Sequence, residues 1–294
     1  MAMPQLIPVA YHRRRYPPGI HPKIRELAGH FDTTSISPDG PYSLHSEYSY
    51  GPRKLTSPLI AALPVLQDAN RKGVPQLWRS EAWAEAFCDF IVALVDAHPP
   101  PAVVEIHPPF DDYCPTIDDF LDRYAVFEER LRGYFPEAQV LLENRSGSIY
   151  RGGRFLISDG VTLLELCQVV SGRGLGLGIA LDVPQLLTTL GGPQRLSAHQ
   201  VAEALLRLKP CRDRIKGLHL WGKKKSEKGR TVSHAGTLDT YFEGEADKKQ
   251  ALLEGLWDLL DDGTPRLFVP EVNSTDEDLA AIATDLTDSG FRFQ

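Results

Sequence analysis

The stretch GRGLGLGIALD, residues 172–182, decides the architecture. Its glycines come before the apolar run Gly178–Asp182 instead of joining a strand to a helix, so it reads as a turn rather than a dinucleotide-binding loop. The turn leads into a short apolar strand that closes on a carboxylate. The same form recurs in both directions along the chain. Candidate strands are Leu6–Ala10, Phe31–Ile36, Tyr42–His45, Ala102–His107, Gln139–Glu143, Gly178–Asp182, Ile215–Leu220 and Arg266–Glu271, eight in all. Helical patterns are expected over Pro22–Gly29, Trp78–Ala97, Ile117–Tyr134, Val161–Val170, Ala198–Leu208, Lys248–Leu260 and Asp276–Leu286. The second strand lacks a clear following helix, and Pro38–Gly40 reads as a tight turn there. Eight strands alternating with helices predict an α/β fold, a single (β/α)8 TIM barrel spanning residues 1–294, with a doubly wound open sheet as the alternative. No repeat, low-complexity tract or linker divides the sequence.

Composition narrows the classes of function. The 294 residues are 42% hydrophobic, enough for a substantial core, and a formal net charge of −7 does not favour a polyanionic partner through bulk charge. Four well-separated cysteines form no CxxC pair, which argues against a zinc ribbon or a disulfide scaffold and for reduced thiols in the cytoplasm. Neither a signal sequence nor an apolar window long enough to span a bilayer is evident, so a soluble, unexported protein is expected.

In a (β/α)8 barrel the chemistry gathers at the C-terminal strand ends. Six of the eight strands close on a metal-competent side chain: His45 in YSLH, His107 in VVEIH, Glu143 in VLLE, Asp182 in IALD, His219 in KGLH and Glu271 in LFVPE. One such residue is more often a cap or an ion-pair partner. Several carboxylates brought close repel one another unless a cation or protons neutralise them, and a divalent metal does so economically. Mixed imidazole and carboxylate donors point to zinc or manganese, as one or two ions.

In their order, LHSEY at His45, EIHPP at His107, LLEN at Glu143, ALDVPQ at Asp182, GLHLWGKKK at His219, VSHAG at His234 and VPEVN at Glu271 resemble the xylose isomerase-like superfamily of TIM barrels. That superfamily holds endonuclease IV, of AP endonuclease family 2, together with sugar phosphate isomerases and epimerases. The resemblance covers nearly the whole chain. It implies that Glu143, Asp182, His219 and Glu271 are metal ligands, with Glu143 and Glu271 also catalytic. It further implies that His45 and His107, bridged by Glu143, hold a second ion as in endonuclease IV. His234 is a further candidate ligand. The third endonuclease IV metal would require a histidine and an aspartate where this chain has Gln185 and Val232, and valine cannot coordinate, so a trinuclear site is not expected.

Two basic loops leave the same strand ends. WGKKKSEKGR carries Lys223, Lys224, Lys225 and Arg230, and ENRSGSIYRGGR carries Arg145, Arg151 and Arg154, all candidates to hold phosphate, with Gln185 and Trp221 as substrate contacts. A solvated charge run is the plain alternative. Tyr48 and Tyr50 are candidates to line the mouth, while Trp78 and Trp83 fall on an expected helix at packing spacing. The leading expectation is a metal-dependent phosphodiester hydrolase resembling endonuclease IV and acting on abasic or altered nucleic acid. The alternative is a sugar or sugar-phosphate isomerase or epimerase, for which the missing third-site ligands speak; a non-catalytic binding barrel is a third class.

Overall fold

The computed structural model describes residues 2–48, 51–53, 55–147 and 153–294. In chain order the strands are β1 (Gln5–Ala10), β2 (Ile24–Gly29), β3 (Tyr42–Ser46), β4 (Val103–Ile106), β5 (Gln139–Glu143), β6 (Gly178–Asp182), β7 (Ile215–Leu220), β8 (Lys223–Lys225), β9 (Thr231–Ser233), β10 (Pro265–Pro270) and β11 (Arg292–Phe293). The helices are α1 (Pro58–Ala61), α2 (Glu81–Val95), α3 (Ile117–Tyr134), α4 (Gly160–Arg173), α5 (Val183–Thr189), α6 (Ala198–Leu206), α7 (Leu238–Tyr241), α8 (Ala246–Leu260) and α9 (Asp276–Asp288). The chain folds as a (β/α)8 barrel, with strand order β10-β7-β6-β5-β4-β3-β2-β1 and β10 also paired to β1. Its internal contacts fall into two compact units, residues 1–25 with 180–294, and residues 26–179.

In the first unit β10 runs parallel to β7, with Phe268 beside Leu218 and Val269 beside His219, and Leu6, Leu218, Leu220, Phe268 and Val269 are buried. Helices α6 and α8 pack closely because Gly255 has no side chain: a Cβ there would lie 3.0 Å from Leu205 Cδ1. Arg266 on β10 is buried, yet its guanidinium donates to the Ile215 and Arg212 carbonyls and to Asp262, so the charge is paired and its donors are used.

In the second unit β3, β4 and β5 are parallel, with His45 beside Glu105 and Ile106 beside Leu142. Helix α3 begins where the Thr116 hydroxyl accepts from the Asp119 amide, with Asp118 and Asp119 in the first turn to complement the helix dipole. A buried aromatic cluster joins α2, which carries Trp83 and Phe87, to α3, which carries Phe120 and Phe127, with Phe31 and Trp78 packed against them.

Three sequence expectations are corrected. Residues 24–29, expected in a helix, form β2, and residues 31–36, expected as a strand, form none. Glu, Leu and Ala in IRELAG favour a helix, but tertiary pairing overrides that preference. Ile24 and Arg25 pair with Val9 and Ala10, and Gly29 sits so close beneath Leu44 that a Cβ would come within 2.8 Å of its Cγ. Downstream, the Phe31 amide donates to the Glu47 carboxylate and the Thr33 amide to the His30 carbonyl, a turn in place of a sheet ladder. Trp78 lies before α2, not on it, with φ of 60°, and is fully buried.

Candidate metal centre

In residues 26–179 three neighbouring strands deliver three donors. Apolar residues anchor each strand on its buried faces, and the polar residue at or just past its end is left at the rim. His45 comes from β3, His107 from just past β4, and Glu143 from the end of β5; all three are buried and their donor atoms lie within 4.8 Å of one another. His107 Nε2 is 2.9 Å and His45 Nε2 is 3.6 Å from the same Glu143 oxygen, and the two rings stack at 4.8 Å. The other Glu143 oxygen accepts from Arg145 at 3.1 Å.

Each imidazole is held from behind. His107 Nδ1 donates to the Glu47 carbonyl at 3.2 Å, because a carbonyl can only accept, and the His107 carbonyl itself accepts from the Trp78 indole at 2.7 Å. His45 Nδ1 faces the Glu26 carboxylate at 3.4 Å. Burial pushes His107 down toward its neutral form, against the pull of Glu143. Burial would push His45 down as well, but Glu26, Glu143 and Glu105 outweigh it and hold the group at about 10. A neutral His107 whose Nδ1 keeps the proton turns a lone pair onto a carboxylate oxygen. Two facing lone pairs need a proton or a cation between them, so this donor set fits a divalent metal, with imidazole and carboxylate ligands suited to zinc or manganese.

In the unit of residues 1–25 and 180–294 the strand ends present a second constellation. His219 Nδ1 lies 3.3 Å from one Glu271 oxygen and His234 Nδ1 lies 3.2 Å from the other. Burial would raise the Glu271 pKa, but its two histidine partners outweigh that and hold it well below the usual carboxylate range. His234 adopts φ of 56° and stacks on Trp221 at 4.2 Å. The Trp221 indole donates to Asp182 at 3.0 Å, and the other Asp182 oxygen accepts from the Gln185 amide at 2.8 Å, capping α5. Gln185 thus meets the expected site through its backbone, and Val232 is exposed on β9.

The expected phosphate contacts fare differently. Arg145 is buried and committed to Glu143. Arg151 and Tyr50 lie outside the described residues. Arg154 is exposed, with its amide donating to Asp111. The lysine run forms the β8–β9 hairpin, with Lys224 paired to Asp278 at 3.2 Å and Lys225 to Glu243 at 3.4 Å, while Arg230 is exposed. Lys223 turns inward, 3.3 Å from the Thr188 hydroxyl and over the Trp221 ring, and burial lowers its pKa against the pull of Asp182. Tyr48 lies against the Arg53 and Arg145 guanidinium groups.

Sequence reasoning missed Glu26, Glu47 and Glu105. Glu26 lay in the segment read as a helix. Glu47, fully buried and accepting from Arg53 at 3.0 Å, sits two residues after His45, and Glu105 two residues before His107. The strand period of two was the signal that could have found the latter pair.

No protein-family model matches the sequence, and no curated protein matches it. Among the described residues no helix is long and apolar enough to cross a membrane. Solved structures similar to the chain include a xylose isomerase domain protein from Planctomyces limnophilus, at 13% identity and a TM-score of 0.44 over 95% of this chain and 98% of that one. An L-ribulose 3-epimerase matches at 11% identity and a TM-score of 0.43, over 91% and 80%. The probable 3-DHS dehydratase AsbF of petrobactin synthesis from Bacillus anthracis matches at 12% and 0.45, over 83% and 75%. At these identities the likeness is one of fold alone.

Proposed function

We propose that this chain is a divalent-metal-dependent isomerase or epimerase acting on a sugar or sugar phosphate. The observation that carries the reading is that two strand-end glutamates, Glu143 and Glu271, are each buried and each in contact with two imidazoles. His45, His107 and Glu143 in one unit, and Asp182, His219 and Glu271 in the other, are the residues that would hold one or two ions. A bound divalent ion would polarise adjacent substrate oxygens and acidify the C–H bond beside the carbonyl. Glu143 in one unit and Glu271 in the other are each a carboxylate proposed to act as a base, taking a proton from carbon and returning it. In the metal-free protein its two histidines hold Glu271 well below the usual carboxylate range, which favours the base form.

The ion pairs of Lys224 and Lys225 and the commitment of Arg145 to Glu143 support this reading over a nuclease, since charges already paired offer less to a phosphodiester backbone. Lys223, beside Trp221 and Tyr241, is proposed to meet the polar end of a small substrate. The test is incubation of the metal-loaded protein with a panel of ketoses and ketose phosphates in D2O. Deuterium appearing at a substrate C–H supports the reading; absence of exchange across the panel contradicts it.

One observation favours a second reading. The grouping of His45 and His107 on Glu143 is what the resemblance to endonuclease IV implies for an extra ion, in a hydrolase that would cut abasic-site DNA. Cleavage of such DNA by the metal-loaded protein, without deuterium exchange into sugars, would establish it instead.

A further inference from the structure

We propose that Glu26 is a positioning residue whose carboxylate fixes the His45 ring so that Nε2, rather than Nδ1, is presented to the ion bound beside Glu143. The inference rests on the proposed metal-dependent function. A carboxylate can only accept from an N–H, so the contact of 3.4 Å between Glu26 and His45 Nδ1 places a proton on Nδ1 and leaves Nε2 for the ligand side. His107 is set in the same way by a different group: its Nδ1 proton goes to the Glu47 carbonyl, and Nε2 points to Glu143. Two stacked imidazoles thus present the same nitrogen toward one carboxylate oxygen, each with an acceptor behind it.

The acceptors are not equivalent. A backbone carbonyl is neutral and comes with the chain path, whereas Glu26 is a side chain brought to His45 by β2, with Glu105 of β4 also in reach of the same ring. One Glu105 oxygen accepts from Ser43 at 3.0 Å, and a Glu26 oxygen lies 3.4 Å from His45 Nδ1. A carboxylate behind a ligating imidazole orients the ring and raises its basicity toward the metal, and loss of such a partner typically weakens metal binding by roughly 10–100-fold.

The test is calorimetric titration of the metal-stripped full-length protein with Zn²⁺ for wild type, Glu26→Ala and Glu26→Gln, alongside visible spectra of the Co²⁺-loaded forms. The melting temperatures of the stripped variants control for folding. Glu26→Ala is expected to weaken one equivalent by roughly 10–100-fold and to alter the Co²⁺ spectrum, while Glu26→Gln, which retains an acceptor oxygen, recovers most of the affinity. Unchanged affinity and spectrum in Glu26→Ala overturn the proposal while leaving the metal-dependent reading intact. Equal losses in Glu26→Ala and Glu26→Gln, or a loss that only follows the melting temperature, also overturn it. A wild type that binds no divalent ion overturns both.

Discussion

In residues 26–179 Glu143 divides its carboxylate between the Arg145 guanidinium and the His107 and His45 imidazoles, whereas in the unit of 1–25 and 180–294 Glu271 lies between the imidazoles of His219 and His234. A guanidinium stays charged across the whole working pH range, and an imidazole does not. The first glutamate therefore has a compensating charge that no pH change removes. The second depends on protons its histidines hold, or on a cation that replaces them. The difference lies in the partners: Glu143 faces a guanidinium as well as two imidazoles, and Glu271 faces two imidazoles.

The largest expected effect is on chemistry. Glu143→Gln keeps the shape but removes the charge and the base, and we expect deuterium exchange into substrate to fall by about 10³-fold at unchanged fold, checked by mass spectrometry of the recovered sugar. Next in size, Arg145→Ala leaves Glu143 buried without its guanidinium and should cost about 3–5 kcal/mol in urea denaturation of the stripped protein. Saturating Zn²⁺ should recover much of that loss, because a cation at Glu143 takes over the role of Arg145. Recovery that is no greater in the variant than in wild type would break the comparison.

A pH series sharpens it. The His45 pKa is raised from 6.5 to about 10 in the folded metal-free protein, so its contribution to stability is full below 6.5 and is lost as pH rises toward 10. The Glu271 pKa is depressed below 4.5, so its contribution is full above 4.5 and is lost as pH falls below it. The stability difference between wild type and His45→Gln should therefore shrink on the alkaline side. That between wild type and Glu271→Gln should shrink on the acid side; the same trend for both would refute the assignment. The smallest effect is expected on the hairpin, where Lys225→Ala removes an exposed ion pair with Glu243 and should leave the melting temperature and turnover unchanged within error.

Much of this was legible where local and tertiary preferences agree. Gln139–Glu143, Gly178–Asp182 and Ile215–Leu220 are short, largely apolar strands, and Ile117–Tyr134 carries its own cap in Thr116, so each lies where its pattern predicts. β2 was not legible, because IRELAG prefers a helix in isolation and becomes a strand only through neighbours distant in sequence. The same error hid Glu26. That His45, His107, Glu143, Asp182, His219 and Glu271 stand at, beside or just past strand ends was readable because each closes an apolar run. How they pair was not, since a contact such as His234 with Glu271 depends on the left-handed backbone at His234 and the path of the β8–β9 hairpin. The lysine run shows the opposite failure: its charge was visible, but not the acids that neutralise it.

Metal content is the most direct test of the proposed centre. Wild-type protein loaded with Zn²⁺ or Mn²⁺, dialysed and analysed by atomic emission should retain at least one ion per chain, and Glu143→Gln should retain fewer. A wild type that keeps none, at an unchanged melting temperature, would contradict the metal centre and the function built on it.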